Sequence, residues 1–122
     1  MNEDEETKMP EHTLTRLLTA WNDPEAEGRA QILDDTLSAD GVYYSDPHLP
    51  EPAEGRAAFE SYLEKFTGAL PDGEMETGPV DEHHNHARVE FRILRAGQPL
   101  AQGHYFAELD GEGRVARLVG FM

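Results

Sequence analysis

Apolar residues first recur at Leu14, Leu17, Leu18 and Trp21, the i, i+3, i+4, i+7 spacing of one helical stripe. Pro10 suits the first turn of that helix. Asn22-Asp23-Pro24 stops it and starts a second, with Asp23 as N-cap and Pro24 at the first helical position. Ala26, Ala30, Leu33 and Leu37, helped by Ile32, form the buried face of this second helix. After the turn Ala39-Asp40-Gly41, the residues Val42 to Ser45 read as a short strand. A proline-rich loop runs from Pro47 to Gly55. Phe59, Tyr62, Leu63, Phe66 and Leu70 then predict a third helix over 56–69. Beyond the breaker Pro71-Asp72-Gly73 the pattern becomes strand-like. Strands are expected over 75–80, 86–95, 100–109 and 114–122, joined by turns at 81–85, 96–99 and 110–113. Between His86 and Arg95, Ala87, Val89, Phe91 and Ile93 alternate with Arg88, Glu90 and Arg92, so the two sets face opposite ways. Three helices followed by a meander is α+β, with the helices packed on one face of an antiparallel sheet.

Composition narrows this further. A chain of 122 residues allows one domain, assigned to 10–122 behind a polar, acidic and disordered tail over 1–9. Cysteine is absent, which excludes disulfides, thiolate metal sites and a cysteine nucleophile. No apolar run is long enough to span a membrane, and the acidic N-terminus is not a secretory signal, so a cytoplasmic location is expected. The 25 Asp and Glu against 10 Lys and Arg give a net charge of −15. Such a surface repels nucleic-acid backbones and anionic membranes. With Lys8 and Lys65 its only lysines, the chain has the composition of a halophilic protein.

Few residues carry candidate chemistry. No phosphate-binding loop, nucleophile elbow or zinc-protease motif occurs. Asp46 ends the short strand on the same face as Tyr44. A carboxylate among aromatic rings is a candidate general base, because partial desolvation raises its proton affinity. The plain alternative is an Asp-Pro turn residue holding a backbone N–H. His83, His84 and His86 cluster beside Asp81 and Glu82 at an expected turn, where they read as exposed residues; a metal site is the alternative, and none is assigned. His104 stands alone on a strand. The aromatics Trp21, Tyr44, Phe59, Tyr62, Phe66, Phe91 and Phe121, with Leu63 and Val89, either fill the core or line an apolar ligand pocket between helices and sheet.

The order of these elements carries a resemblance. Trp21-Asn22, Ser45-Asp46-Pro47, Gly55-Arg56-Ala57-Ala58-Phe59, Gly103-His104-Tyr105-Phe106 and Asp110-Gly111-Glu112-Gly113 leading to Gly120-Phe121 resemble the nuclear-transport-factor-2-like superfamily. Within it, the chain is most similar to the SnoaL-like polyketide cyclase and ketosteroid isomerase branch, over about residues 12–122. That resemblance implies a cone: a strongly curved, mostly antiparallel sheet wrapped on three helices around an apolar cavity, often dimeric through the sheet. The isomerase base falls on Asp46. Its oxyanion Tyr falls near Leu17, which cannot donate a hydrogen bond. Its protonated Asp, like the late-strand Asp of the cyclases, falls near Tyr105, which can.

The resulting expectation is cofactor-free acid/base chemistry of isomerase, cyclase or lyase type on a small apolar carbonyl compound. Asp46 acts as base, and Tyr105, with Tyr44 or His104, stabilises the enolate oxygen. The alternatives are a binding module using the same cavity, and a structural homodimer whose aromatics interdigitate.

Overall fold

The computed structural model describes residues 11–122; Pro10 and the tail expected over 1–9 lie outside the described residues. Helix α1 (Thr13–Leu18) runs into a 3-10 turn (Thr19–Asn22) and buries Leu14, Leu17, Leu18 and Trp21 as the spacing predicts. His12 caps it, its ring Nδ1 accepting the Leu14 N–H at 2.9 Å.

Helix α2 spans Ala26–Thr36, so it starts two positions later than Pro24. Asp23 still shapes the entry: its Oδ1 accepts the Glu25 N–H at 2.9 Å ahead of the helix. The later start turns Ala26 to solvent and buries Arg29, whose Nη1 donates to the Asp23 carbonyl. Helix α3 occupies Arg56–Ala69 as expected and buries Phe59 and Leu63 against the sheet.

The sheet has seven strands: β1 (Tyr43–Ser45), β2 (Ala53–Glu54), β3 (Gly73–Thr77), β4 (Asp81–His83), β5 (His86–Arg95), β6 (Gln98–Leu109) and β7 (Val115–Phe121). Its path is β2-β1-β7-β6-β5-β3, with β4 also on β5, and it does not close. All neighbours are antiparallel except β1, which lies parallel to β7. Register shifts at Ile93/Leu94 and Glu108/Leu109 bend β5 and β6.

Two expectations change here. The stretch 75–80 is not one strand. Pro79 has no N–H to give a ladder, so β3 ends at Thr77 and pairing on β5 resumes at Asp81. The turn expected over 81–85 shrinks to His84-Asn85, at φ 49° and 64°, because the wholly exposed β4 has no apolar alternation to reveal it.

Val89, Phe91, Tyr105 and Leu118 face the helices and form the core. Arg88, Glu90 and Arg92 point the other way, into solvent. The molecule is an α+β cone: helices on the concave side, an uncovered sheet face on the other.

Candidate functional site

Two backbone features bring Asp46 to the centre of the core. β1 sits on β7 in parallel register, Tyr44 opposite Leu118 and Ser45 opposite Val119. Gly120, one step on, pairs with Tyr105 on β6. A Cβ at Gly120 would stand 2.7 Å from the Tyr105 ring and 3.3 Å from Asp46 Cβ. Glycine there lets the Tyr105 ring and the Asp46 side chain close over the end of β7.

Four hydroxyl and carboxyl groups meet at that point. The Tyr44 hydroxyl lies 2.6 Å from Asp46 Oδ2 and 3.1 Å from each of the Tyr62 and Tyr105 hydroxyls. A phenol has one proton, and the short contact to the carboxylate is the stronger claim on it. With Tyr44 donating to Asp46, Tyr105 donates to Tyr44. The Trp21 indole N–H reaches Tyr62 Oη at 3.3 Å. Asp46 Oδ1 accepts the His48 N–H at 2.8 Å, the Asp-Pro turn bond expected of a loop Asp. One carboxylate oxygen therefore fixes the loop and the other serves the hydroxyl cluster. Asp46 is 9% exposed, and Trp21, Tyr44 and Tyr105 are 2% exposed or less.

Burial pushes the phenols up. Tyr44 and Tyr105 are raised far above the ordinary tyrosine range, first by desolvation and then by charge repulsion from neighbouring groups. Tyr62 is raised to about 12, chiefly by desolvation. All three are neutral hydrogen-bond donors under ordinary conditions rather than proton carriers.

Aromatic rings pack tightly around this cluster. Phe91 stacks on Tyr105 at 4.6 Å between centroids, Tyr44 lies 4.7 Å from Tyr62, and Trp21 contacts Tyr44, Phe59, Tyr62 and Tyr105 at 5.7–6.1 Å. Phe66 joins at the outer edge, 6.4 Å from Tyr62. Leu63 and Val89 are buried in the same core. The rings interdigitate where the cone was expected to be open. A recess of about 680 Å³ lies instead on the uncovered sheet face, across β3, β5, β6 and the end of β7, lined by Glu76, Arg92, Gln102, His104 and Phe121 among others, and does not touch Asp46.

Two expected site residues lie elsewhere. His104 neighbours Tyr105 in sequence, so strand alternation sends it to the uncovered sheet face, where it is exposed, with Nε2 3.4 Å from Glu90. Phe121 is on that face too, 57% exposed and 5.8 Å from Phe106. At the β4–β5 hairpin, His83 and His84 have their Nδ1 atoms 3.0 Å apart, and His86 Nδ1 lies 3.0 Å from the His84 carbonyl. Among the described residues, no group of three or more His, Asp or Glu is arranged to hold a metal ion.

Sequence reasoning assigned Trp21 only a lining role and missed its indole N–H, the one donor that α1 and its 3-10 extension contribute to the cluster. The signal was Leu17 itself: a donor absent there is supplied four residues on, on the same face. Gly120 was legible only as part of a motif.

A family model for the SnoaL-like domain matches residues 14–118. The chain belongs to the SnoaL-like family. Among solved structures, it is similar to a proposed isomerase of that family from Agrobacterium tumefaciens, at 26% identity and a TM-score of 0.80, over 89% of this chain and 92% of that one. A proposed SnoaL-like polyketide cyclase from Jannaschia sp. shares the fold at 15% identity and TM-score 0.68, over 89% and 83% of the two chains. A designed protein with a curved β-sheet shares it at 17% identity and TM-score 0.68, over 100% of this chain and 88% of that one. No curated protein matches the sequence. Among the described residues, no helix of this SnoaL-like chain is long and apolar enough to cross a membrane.

Proposed function

We propose that the Asp46 cluster is a small-molecule site for an apolar carbonyl compound, worked without a cofactor by acid/base chemistry. Asp46 Oδ2 takes a proton from the carbon beside the carbonyl. The C–H electron pair moves to form the enolate, and the neutral Tyr105 phenol turns its hydroxyl from Tyr44 to donate a hydrogen bond to its oxygen. Returning the proton to another carbon gives an isomerase; attack of the enolate carbon on a second carbonyl, or loss of a β-substituent, gives a cyclase or a lyase. The observation that carries this reading is the buried carboxylate with Oδ2 at the head of three phenol hydroxyls. The solved SnoaL-like relatives described as isomerase and cyclase support the reaction class. His104, across the sheet, takes no part.

The test is thermal stabilisation by planar ketones, polyketide-like aromatics and fatty acids, for wild type and Asp46→Asn, with hydrogen–deuterium exchange at the α-carbon of each ligand found. A ligand at a hundred times its dissociation constant adds about 2.7 kcal/mol. Exchange that is lost in Asp46→Asn is the expected result. Binding without exchange in either protein replaces the enzyme with a binding module. That second reading is favoured by one observation, both oxygens of Asp46 already having partners; the structural homodimer is favoured by another, the interdigitated rings, and is the outcome if no ligand shifts the melting temperature.

The same reading includes a homodimer through the uncovered sheet face. There Phe106 and Phe121 are exposed at 43% and 57%. Two of the carboxylates around them are paired with arginines, Asp81 with Arg88 and Glu76 with Arg92, and Glu90 and Glu108 lie 3.4 and 3.7 Å from the His104 and His86 rings. In a chain of charge −15, the two arginine pairs lessen the repulsion of a second copy at this face. Light scattering of Phe121→Asp against wild type decides it: a dimer that becomes a monomer supports the interface, and an unchanged mass rejects it.

A further inference from the structure

We infer that the Tyr62 side chain occupies the ligand's own seat, and that a flat ring bearing a hydroxyl or carbonyl oxygen displaces it and accepts a hydrogen bond from Trp21 Nε1. This rests on reading the cluster as a small-molecule site, but not on any chemistry at Asp46.

Tyr62 differs from its neighbours. Tyr44 and Tyr105 are held on sheet strands and are fully buried. Tyr62 comes from α3 and is only half-buried. Its hydroxyl lies 3.1 Å from Tyr44, as the Tyr105 hydroxyl does, and makes the longest contact of the cluster, 3.3 Å from the Trp21 nitrogen. The latter is long for an N–H···O bond, whose ordinary distance is about 2.9–3.0 Å. An indole N–H can only donate, and buried at 2% exposure it needs an acceptor. Tyr62 Oη supplies one. A ligand oxygen can supply one equally, beside the Tyr44 hydroxyl and next to Asp46.

The space around the ring sets the ligand's shape. Phe59 lies parallel to Tyr62, at 5° between planes and 6.3 Å between centroids, and Trp21 meets it edge-on at 6.1 Å. Tyr44 lies on the inner side at 4.7 Å and Phe66 at the outer edge. When the ring turns out past α3, it leaves a flat, apolar slot with one N–H at its inner end. An aryl ketone or a phenol fits that slot; a branched or fully aliphatic ligand does not.

The experiment replaces the side chain with its own detached ring. Tyr62→Ala is titrated with p-cresol, toluene and acetophenone, following the fluorescence of Trp21, the only tryptophan in the chain. The expected result is saturable quenching or shift with p-cresol and acetophenone, p-cresol binding roughly tenfold tighter than toluene, the worth of one net hydrogen bond. Adding Trp21→Phe, read by thermal shift, removes the preference for acetophenone, which can only accept, over toluene and leaves toluene binding as it was. A cooperatively folded Tyr62→Ala that binds none of the probes overturns the inference. So does a preference for acetophenone over toluene that survives Trp21→Phe. Tyr62→Phe keeps the ring and guards against a misfolded alanine variant. Without the hydroxyl to displace, it should bind acetophenone severalfold tighter than wild type, and equal or weaker binding overturns the inference. If these bindings appear while Asp46→Asn changes neither binding nor exchange, the acid/base reading fails and this one stands.

Discussion

Gly120 is worth a substitution. Its missing side chain is the space in which Tyr105 meets Asp46, and a methyl group there would lie 2.7 Å from a ring that is itself 1% exposed and stacked on Phe91. Gly120→Ala is expected to destabilise by about 1–3 kcal/mol in a denaturant titration, as overpacking in a close-packed core does. The phenols make a second expectation. Tyr62 is raised from 10.0 to about 12, so its stabilising contribution is whole below pH 10 and is lost as pH rises through about 12. Tyr44 and Tyr105 are raised further, in the same direction. Their phenolate absorbance should therefore appear together with unfolding in strong alkali, in one cooperative step; gradual ionisation in a chain that keeps its circular dichroism would contradict this packing. Asp46 and Tyr105 were legible in the sequence by position. The contact among four polar groups was not, because it joins a hydroxyl from α3 to two from the sheet, a meeting that only the packing of the two layers fixes.

The first and third helices were read well because each buries a continuous stripe, Leu14 to Trp21 in one and Phe59 to Phe66 in the other, whereas the second starts later than Pro24 suggested. The edges of the sheet were read less well. β2 is two residues long and hides inside a proline-rich loop, and β4 is exposed along its whole length, so neither shows an apolar alternation. The β4–β5 connection also carries local strain, with His84 and Asn85 both at positive φ. Asn and Gly occupy such two-residue turns at lower cost than His. Replacing His84-Asn85 with Asn-Gly is expected to stabilise by about 1 kcal/mol, measured as a higher denaturant midpoint at unchanged slope. A lower midpoint would mean that the contact between the His83 and His84 rings outweighs the backbone.

Across the whole molecule, charge is distributed unevenly. On the uncovered sheet face Arg88 and Arg92 are paired with Asp81 and Glu76, while acids outnumber cations over the chain, for a net −15. At 1 M salt the screening length is about 3 Å, short enough to quench repulsion between neighbouring carboxylates. The melting temperature is expected to rise from low salt into the molar range, and a flat or falling curve would reject the halophilic reading of the composition. Fold class followed from the succession of helices and strands; the filled interior did not, since the same aromatic residues suit an open cone and a closed one. The parallel pairing of β1 with β7 has a consequence in time. Tyr43, Tyr44 and Ser45 find their partners at Arg117, Leu118 and Val119, about seventy residues further along the chain. On the ribosome, the strand that aims Asp46 emerges early and has only the two-residue β2 to pair with until β7 has left the exit tunnel. Asp46, though it lies in the first half of the chain, is among the last residues that synthesis allows to take its place.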